Sequence, residues 1–222
     1  MLERVTRIEN AGPDLRARRI FFEDDAQFRI TASTVVKKLG IVEGLEVERT
    51  DFERALCAEE LPMAKERALQ LLGYRERSRF ELARKLAESG FPAGVVSAVV
   101  DRFTDVELVD DERFACAWVR ARRSAGYGDR RIRRELEEKG IGPQLACLAL
   151  GVDDSVLEIE RAIDSLRGRR PIDGTDTQRL IRRLLSRGFS AVAARAAVDH
   201  AQSASGEDFA DNSYGDTADD LQ

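Results

Sequence analysis

One helical pattern occurs three times in this chain, and this repetition limits the possible folds more than any other feature. The copies begin at Ser78, Gly128 and Asp176, which are 50 and 48 residues apart. Each copy has two apolar residues four positions apart, and then a glycine followed by an apolar residue. The equivalent positions are Leu82, Ile132 and Leu180; Leu86, Leu136 and Leu184; Gly90, Gly140 and Gly188; and Phe91, Ile141 and Phe189. A period in this range predicts tandem structural units, which usually build binding surfaces.

Each copy is predicted to contribute three helices, because the apolar spacing produces one apolar helix face and the glycines favour helix ends. The predicted helices are 63–72, 78–89 and 92–103, then 111–124, 129–139 and 143–150, then 155–166, 176–187 and 190–200. A single unit of this size buries too little apolar surface to be stable alone, so neighbouring units must stack. We therefore predict a mainly α fold in which three tandem three-helix repeats form an elongated, curved array.

The residues before the repeats have a different pattern. Short segments rich in Val, Ile, Phe and Arg alternate with turn residues, which predicts a small β-hairpin region. The predicted strands are Val5–Asn10, Arg18–Phe22 and Gln27–Ile30. Helices are predicted over Ser33–Leu39 and from Thr50 to Glu60, where Thr50-x-x-Glu53 matches a capping box. The predicted segments are an α/β leader domain at 1–60, helical repeats at 61–106, 107–152 and 153–200, and a disordered acidic tail at 201–222.

The charge distribution separates the repeats from their flanks. The net charge is −5, but residues 201–222 hold six acidic and no basic side chains. Residues 1–60 hold 10 basic and 13 acidic side chains, whereas residues 61–200 hold 26 basic and 22 acidic ones. The repeats are therefore mildly basic. This is compatible with a nucleic-acid or nucleoprotein partner, although the net charge of the whole chain is negative. The tail is a candidate for screening these basic repeats within the molecule.

The sequence offers little catalytic or metal chemistry. His200 is the single histidine, so no zinc-type cluster or Ser/His/Asp set can be assembled around histidine. Gly126-Tyr127-Gly128 lacks the preceding strand of a nucleotide-binding fingerprint and is interpreted as a helix stop and restart. Asp110 and Asp111 are interpreted as the start of a helix. We predict that the protein is not an enzyme and needs no cofactor or metal.

The same survey predicts a cytoplasmic protein without a membrane partner. No stretch approaches the roughly 20 apolar residues of a membrane helix, and the charged N-terminus lacks a signal core. Cys57, Cys116 and Cys147 are scattered through apolar patterns, which is typical of reduced, packed thiols.

Arginine is concentrated in the second repeat and is the strongest indication of a binding surface. Arg130, Arg131, Arg133 and Arg134 crowd one predicted helix start, which is unfavourable against the helix dipole unless a partner compensates. The candidate partner-binding residues are Arg120, Arg122, Arg123, Arg130, Arg131 and Arg134, with the repeat-equivalent Arg84 and Arg182. Arg167, Arg169 and Arg170 form a smaller patch. The alternative is a solvated helical face, with Arg134 and Glu138 paired at i, i+4.

The string from Arg67 to Leu150 resembles the RecX family of bacterial recombination regulators. The resemblance is carried by the order and spacing of several short motifs. They are Arg77-Ser78 with Glu81-Leu82, Val109-Asp110-Asp111 with Phe114-Ala115, Gly126-x-Gly128, and Ile132-x-x-Glu135-Leu136-x-x-Lys139-Gly140-Ile141. It extends over about residues 61–200, more loosely in the third repeat, and it excludes the acidic tail.

The resemblance implies a protein that binds the RecA recombinase and the RecA–DNA filament, without catalytic residues of its own. On this basis we expect a cytoplasmic monomer that modulates RecA, as an inhibitor, in recombination, DNA repair and the SOS response, with single-stranded DNA as a further partner. Two alternatives stay open. One is a helical-repeat protein that binds nucleic acid directly, and the other is a scaffold that binds only protein.

Overall fold

A computed structural model of the chain describes residues 2–11, 17–23, 28–151, 155–166, 169, 171 and 173–207, with side chains to residue 203. Four strands and ten helices are found in these residues. In chain order they are β1 (Leu2–Asn10), β2 (Ala17–Phe22), β3 (Phe28–Ala32), α1 (Ser33–Lys38), β4 (Glu46–Glu48), α2 (Arg49–Tyr74), α3 (Arg79–Glu88), α4 (Ala93–Asp105), α5 (Asp111–Ser124), α6 (Asp129–Glu138), α7 (Pro143–Leu150), α8 (Ser155–Leu166), α9 (Gly174–Ser186) and α10 (Ala191–Glu207). The predicted mainly α class with a small N-terminal β segment is confirmed.

The strands form one antiparallel sheet in the order β3-β2-β1-β4. In β1 and β2, Val5 pairs with Phe22 and Ile8 with Ile20, so apolar side chains meet on one face. This face packs on α1 and on the start of α2 through Val35, Phe52 and Leu56. Strand β4 was not predicted from the sequence, because a three-residue strand with two glutamates has no recognisable β pattern.

Helix α2 joins this sheet region to the first repeat. The sequence predicted two helices, ending near Glu60 and starting at Met63, but α2 runs unbroken through Pro62. Its first half contributes Phe52 and Leu56 to the sheet core, and its second half contributes Ala64 and Ala68 to the first repeat core. Burial at both ends offsets the hydrogen bond that Pro62 cannot donate.

The start of α2 also differs from the predicted capping box at Thr50. Glu48 is the N-cap residue, and its carboxylate accepts a 2.9 Å hydrogen bond from the Asp51 amide. The capping rule was therefore correct in kind but two residues late in position, because β4 delivers the chain to the helix at Glu48.

Within the repeats, the predicted core positions and helix ends are found where the pattern placed them. Leu82, Leu86, Ile132, Leu136 and Leu184 are completely buried, and Leu180 is nearly so. The glycines at 90, 140 and 188 end α3, α6 and α9 with φ values of 90°, 77° and 94°. The Ser78 hydroxyl caps α3 by accepting from the Glu81 amide at 3.1 Å, and Asp110 caps α5.

The molecule divides into two compact units, Met1–Phe114 and Ala115–Gln222, and the boundary lies within α5. The second unit holds most of the second repeat and all of the described third repeat. Helix α10 continues to Glu207, seven residues beyond the predicted end at His200. The remainder of the predicted disordered tail, residues 208–222, lies outside the described residues, and the five-segment division of the chain stays a prediction. In the described part of the chain, no helix combines the length and apolar character needed to cross a membrane.

Candidate partner-binding surface

Three of the candidate arginines form partly buried ion pairs within the second unit. The Arg122 guanidinium donates to Glu135 Oε2 at 2.6 Å, and Arg131 donates to Glu135 Oε1 at 3.0 Å. Arg123 makes a forked contact with Asp129, at 3.0 and 2.8 Å. The structure thus brings three of the predicted residues together, but around carboxylates of the same chain.

Glu135 is the centre of the first of these contacts. Its side chain is about nine-tenths buried, and it also accepts a 3.2 Å hydrogen bond from the Trp118 indole. Burial opposes ionisation of this carboxyl, but the Arg131 hydrogen bond and the Arg122 charge outweigh it and lower the pKa of Glu135. We call Trp118, Arg122, Arg131 and Glu135 the Glu135 network. It holds α6 against α5 with a charged contact that is fully hydrogen-bonded.

Asp129 connects the second repeat to the third. Besides Arg123 from α5, it receives a forked contact from Arg161 of α8, with both distances 3.1 Å. Burial opposes its ionisation, but the hydrogen bonds from Arg123 and Arg161 prevail and lower the pKa of Asp129. Arg123 also donates to the Leu150 carbonyl oxygen at 2.8 Å. One carboxylate therefore fixes three helical segments.

The Tyr127 ring lies among three guanidinium groups. The carbon atoms at the centres of Arg131, Arg122 and Arg187 lie 4.4, 5.2 and 5.8 Å from the ring centroid. Each lies within the range of a cation–π contact, and Arg187 brings in the end of α9. The segment interpreted from sequence as a helix stop and restart is thus also a contact point between repeats.

Gly128 and Gly188 pack directly against each other at this point. The Gly128 amide donates to the Arg187 carbonyl at 2.9 Å, and the Arg130 amide donates to the Gly188 carbonyl at 3.2 Å. A Cβ atom at Gly128 would lie 2.3 Å from the Gly188 carbonyl carbon. The close approach needs the absence of a side chain at Gly128, which explains the second glycine of the Gly126-x-Gly128 motif.

The remaining second-repeat arginines face solvent. Arg120, Arg130, Arg133 and Arg134 are exposed. Arg134 approaches Glu138 at 3.8 Å, the i, i+4 pair expected for a solvated face. Within the described ranges, Arg120, Arg130 and Arg133 have no carboxylate at ion-pair distance. These exposed charges, at the end of α5 and along α6, are available to an external partner.

The two repeat-equivalent arginines have weaker internal contacts. Arg84 lies in the first unit, is exposed, and approaches Glu88 at 3.6 Å and the Phe80 ring at 6.0 Å. Arg182 lies on the exposed side of α9 and donates to Gln178 at 3.4 Å. The contact at Arg182 joins neighbours one helical turn apart, so the side chain does not fix any tertiary packing.

Sequence reasoning missed Arg161 and Arg187, through which α8 and the end of α9 contact the second repeat. It also missed Arg183 of α9, whose Nε atom is buried. The spacing within each copy gave no sign that third-repeat residues would reach Asp129, Gly126 or Tyr127. One feature of the sequence could have indicated these contacts. Asp129 and Glu135 are acidic residues within an arginine-rich stretch, and both accept hydrogen bonds from several arginines. Arg169 is exposed, whereas Arg167 and Arg170 lie outside the described residues.

The first unit contains a cleft of about 770 Å³ between the sheet, α2 and the α3–α4 turn. Glu60 lines it and is buried, but its oxygens already accept from Arg29 at 2.8 Å and from the Thr31 hydroxyl at 2.6 Å. The Glu60 charge is therefore already paired with Arg29 within the first unit. Across the described ranges, no group of three or more His, Cys, Asp or Glu side chains has an arrangement that could hold a metal ion.

Comparison with protein families identifies two of the three repeats. Residues 64–103 match the model described as the first three-helix domain of RecX. Residues 110–150 match the model described as the second three-helix domain of RecX. The first range runs from the second half of α2 to α4, and the second range covers α5–α7.

Relatives named regulatory protein RecX support the same assignment. The chain is 39% identical over 137 residues to the protein of Mycolicibacterium smegmatis, which covers 57% of this chain and 73% of the relative. It is 39% identical over 155 residues to that of Mycolicibacterium vanbaalenii, covering 64% and 78%. It is also 39% identical over 145 residues to that of Mycobacterium tuberculosis H37Rv, covering 63% and 77%.

Solved structures share the fold. A crystal structure of regulatory protein RecX matches with a TM-score of 0.54 at 22% identity, covering 86% of this chain and 96% of the other. RecX from Lactobacillus salivarius matches with a TM-score of 0.57 at 24% identity, covering 65% and 97%. At these identities the likeness concerns the fold alone. The sequence relatives decide the assignment: this chain belongs to the RecX family of regulatory proteins.

Proposed function

We propose that this protein is a non-enzymatic modulator of the RecA recombinase that acts as an inhibitor. It binds RecA and its nucleoprotein filament as a cytoplasmic monomer and thereby regulates recombination, DNA repair and the SOS response. Membership of a family of regulatory proteins is the observation that carries the proposal. The exposed arginines of the second repeat supply a surface of the kind that such binding requires.

Under this proposal, the candidate arginines have two roles. Arg120, Arg130 and Arg134 are exposed and contact the partner, together with Arg84 and Arg182. Arg122, Arg123 and Arg131 keep the surface in place, because their guanidinium groups are bound to Glu135 and Asp129. Guanidinium groups form forked contacts with carboxylates and phosphates, so acidic RecA surface and filament DNA are both suitable counterparts. Repeated weak contacts add to a higher total affinity.

The decisive experiment measures RecA ATPase turnover and strand exchange on single-stranded DNA at increasing protein concentration. Inhibition at stoichiometric protein is the expected result. Unchanged turnover and strand exchange, with the protein confirmed folded, would reject the proposal. Co-sedimentation with RecA filaments, with and without DNA, measures binding separately from inhibition.

A charge-reversed variant tests the exposed surface. Arg130→Glu with Arg134→Glu is expected to weaken inhibition at least about a hundredfold, because loss of two charge-assisted contacts costs roughly 1.5–3 kcal/mol each. Arg195→Glu is the matched control, since Arg195 is an exposed arginine of α10 outside the second repeat. If the double variant inhibits as well as the unmodified protein, a scaffold that binds through apolar faces is the better description.

Direct binding of nucleic acid is the second candidate function. It is favoured by the unpaired, exposed Arg120, Arg130 and Arg133 in the described part of the second repeat. Binding of single-stranded DNA without RecA, with a steep fall in affinity as salt increases, would support it.

A further inference from the structure

The third repeat reverses the charge at the centre of the Glu135 network. With the 48-residue spacing between the second and third copies, Arg183 stands at the position of Glu135, and Arg187 at that of Lys139. In the second repeat, the carboxylate at this position neutralises Arg122 and Arg131. In the third repeat, the equivalent position on α9 is Arg183, so a positive charge stands where the second repeat has the negative charge of Glu135.

The contacts around Arg183 show that this positive charge is not compensated within the described residues. Its Nε atom is buried and has no hydrogen-bond partner there. Arg187 donates to two neutral acceptors, the Ser165 hydroxyl at 3.0 Å and the Gly126 carbonyl at 3.3 Å. No described carboxylate lies at ion-pair distance from Arg183, Arg187 or the exposed Arg169.

Arg169 and Arg187 are both close enough to Arg183 for their charges to act on it. The positive charge of Arg169, followed by that of Arg187, lowers the pKa of Arg183. Like charges held together in this way repel, and an anion bound between them would remove the repulsion. A buried N–H without an acceptor adds a second reason for a ligand oxygen at this place.

We propose that Arg169, Arg183 and Arg187, here called the α9 arginine cluster, bind a phosphate group of single-stranded nucleic acid. The planar guanidinium fork matches the oxygens of a phosphate, and several forks can surround one tetrahedral group. All basic side chains that follow Lys139 in the basic repeats are arginines, as phosphate recognition favours. The site lies next to Arg130, at the start of α6.

The neighbourhood of the cluster favours a polymer of phosphates over a single anion. The Arg130 amide donates to the Gly188 carbonyl, one residue after Arg187, so the exposed side chain of Arg130 starts beside the cluster. A nucleic-acid backbone carries a negative charge on every nucleotide and can contact the cluster and Arg130 in succession. A lone carboxylate or free phosphate can reach only one of these places.

Arg183→Glu gives a sharp test, because it restores the charge that the second repeat has at this position. The full chain is titrated into a fluorescein-labelled oligothymidylate without RecA, and anisotropy is followed at several salt concentrations. We expect at least about a tenfold loss of affinity and a fall of about one in the log–log salt slope. We also expect a higher Tm, because the new carboxylate pairs with Arg169 and Arg187. Arg183→Gln, which removes the charge but keeps a polar side chain, should weaken binding and raise the Tm less than Arg183→Glu does, because it relieves the repulsion without forming a new ion pair.

Arg195→Glu is the control for overall charge, and we expect it to change the affinity by no more than about twofold, as for one distant surface charge. Equal losses in Arg183→Glu and Arg195→Glu, with both variants folded by circular dichroism, would overturn the proposal. Inorganic phosphate is compared with chloride at equal ionic strength to identify the anion source. If phosphate raises the Tm while oligothymidylate binding does not depend on Arg183, the assignment to nucleic acid is wrong. Because RecA is absent from these assays, their result is independent of the proposed RecA modulation.

Discussion

Gly128 and Gly188 are packed backbone against backbone, and this contact joins the second repeat to the third. The Gly128 amide donates to the carbonyl preceding Gly188, and a Cβ atom at Gly188 would lie 2.4 Å from the Arg131 Cβ atom. Gly188 also has a φ of 94°, in the left-handed region that favours glycine. In the sequence pattern, Gly128 starts one helix and Gly188 ends another. In the folded protein, the two glycines form one backbone contact between the repeats.

Gly128→Ala should destabilise the second unit by about 3 kcal/mol, because the added methyl group overlaps backbone atoms that cannot move independently. Urea denaturation measures the change. Gly142→Ala is a matched control, since Gly142 is the N-cap of α7 as Gly128 is of α6, and a Cβ atom there meets nothing within 4 Å. Equal losses of stability in the two variants would show that capping, not the contact with Gly188, decides the cost.

Glu135→Gln should lower the free energy of unfolding by about 2 kcal/mol, since it leaves two partly buried guanidinium groups without their counter-charge. Glu138→Gln, on the same helix, removes only the exposed 3.8 Å contact with Arg134. That change should cost less than about 0.5 kcal/mol. Chemical denaturation of both variants tests the difference, and similar losses would mean that the Glu135 network contributes no more than a surface pair.

Replacing the paired and the exposed arginine of α5 should change the free energy of unfolding by different amounts, although the two residues are only two positions apart. Arg122→Met removes the Glu135 ion pair and a 4.5 Å contact with the Trp118 ring, and should cost about 2 kcal/mol. Arg120→Met, at an exposed position, should stay within about 0.5 kcal/mol of the unmodified protein. Thermal unfolding followed by circular dichroism compares them. A reversed order would contradict the assignment of structural and partner-contacting arginines.

Acid should destabilise the second unit through Glu135 and Asp129. Both carboxyls have a lower pKa in the folded protein than their ordinary values of about 4.3 and 3.9. The unfolded chain therefore binds protons first, so the stabilisation is complete above these ordinary values and is lost as the pH falls through the folded pKa values. The Glu135→Gln and Asp129→Asn double variant should show a shallower loss of unfolding free energy between about pH 5 and pH 2. An identical slope would contradict the expected linkage.

Pro62→Ala should stabilise the first unit by about 1 kcal/mol, because it restores a backbone donor inside the continuous helix α2. Pro143→Ala is the control. Pro143 is the first residue of α7, where the missing donor costs little, so no gain is expected. Differential scanning calorimetry distinguishes the cases. Absence of a gain at Pro62 would favour two helices that meet there, as the sequence first indicated.

The repeated helices and their cores follow from the amino-acid sequence alone. Leucines and isoleucines four positions apart form an apolar face whatever the neighbouring elements do, and the glycines after α3, α6 and α9 end helices through a local backbone preference. The same local rules identified the Ser78 and Asp110 caps. They failed at α2, where one helix was predicted to end near Glu60 and another to start at Met63. Burial of Phe52, Leu56, Ala64 and Ala68 in two cores keeps one helix instead.

Which arginines are available to a partner depends instead on how the helices pack. Arg122 and Arg130 are equivalent in a count of charges, but α5 and α6 turn the first toward buried Glu135 and leave the second in solvent. The contacts of Arg161 with Asp129 and of Arg187 with Gly126 join residues 32 and 61 positions apart. Periodicity describes each helix separately and contains no information on such distances. The physical reason is that side-chain charge is local, whereas its neutralisation depends on which helices pack together.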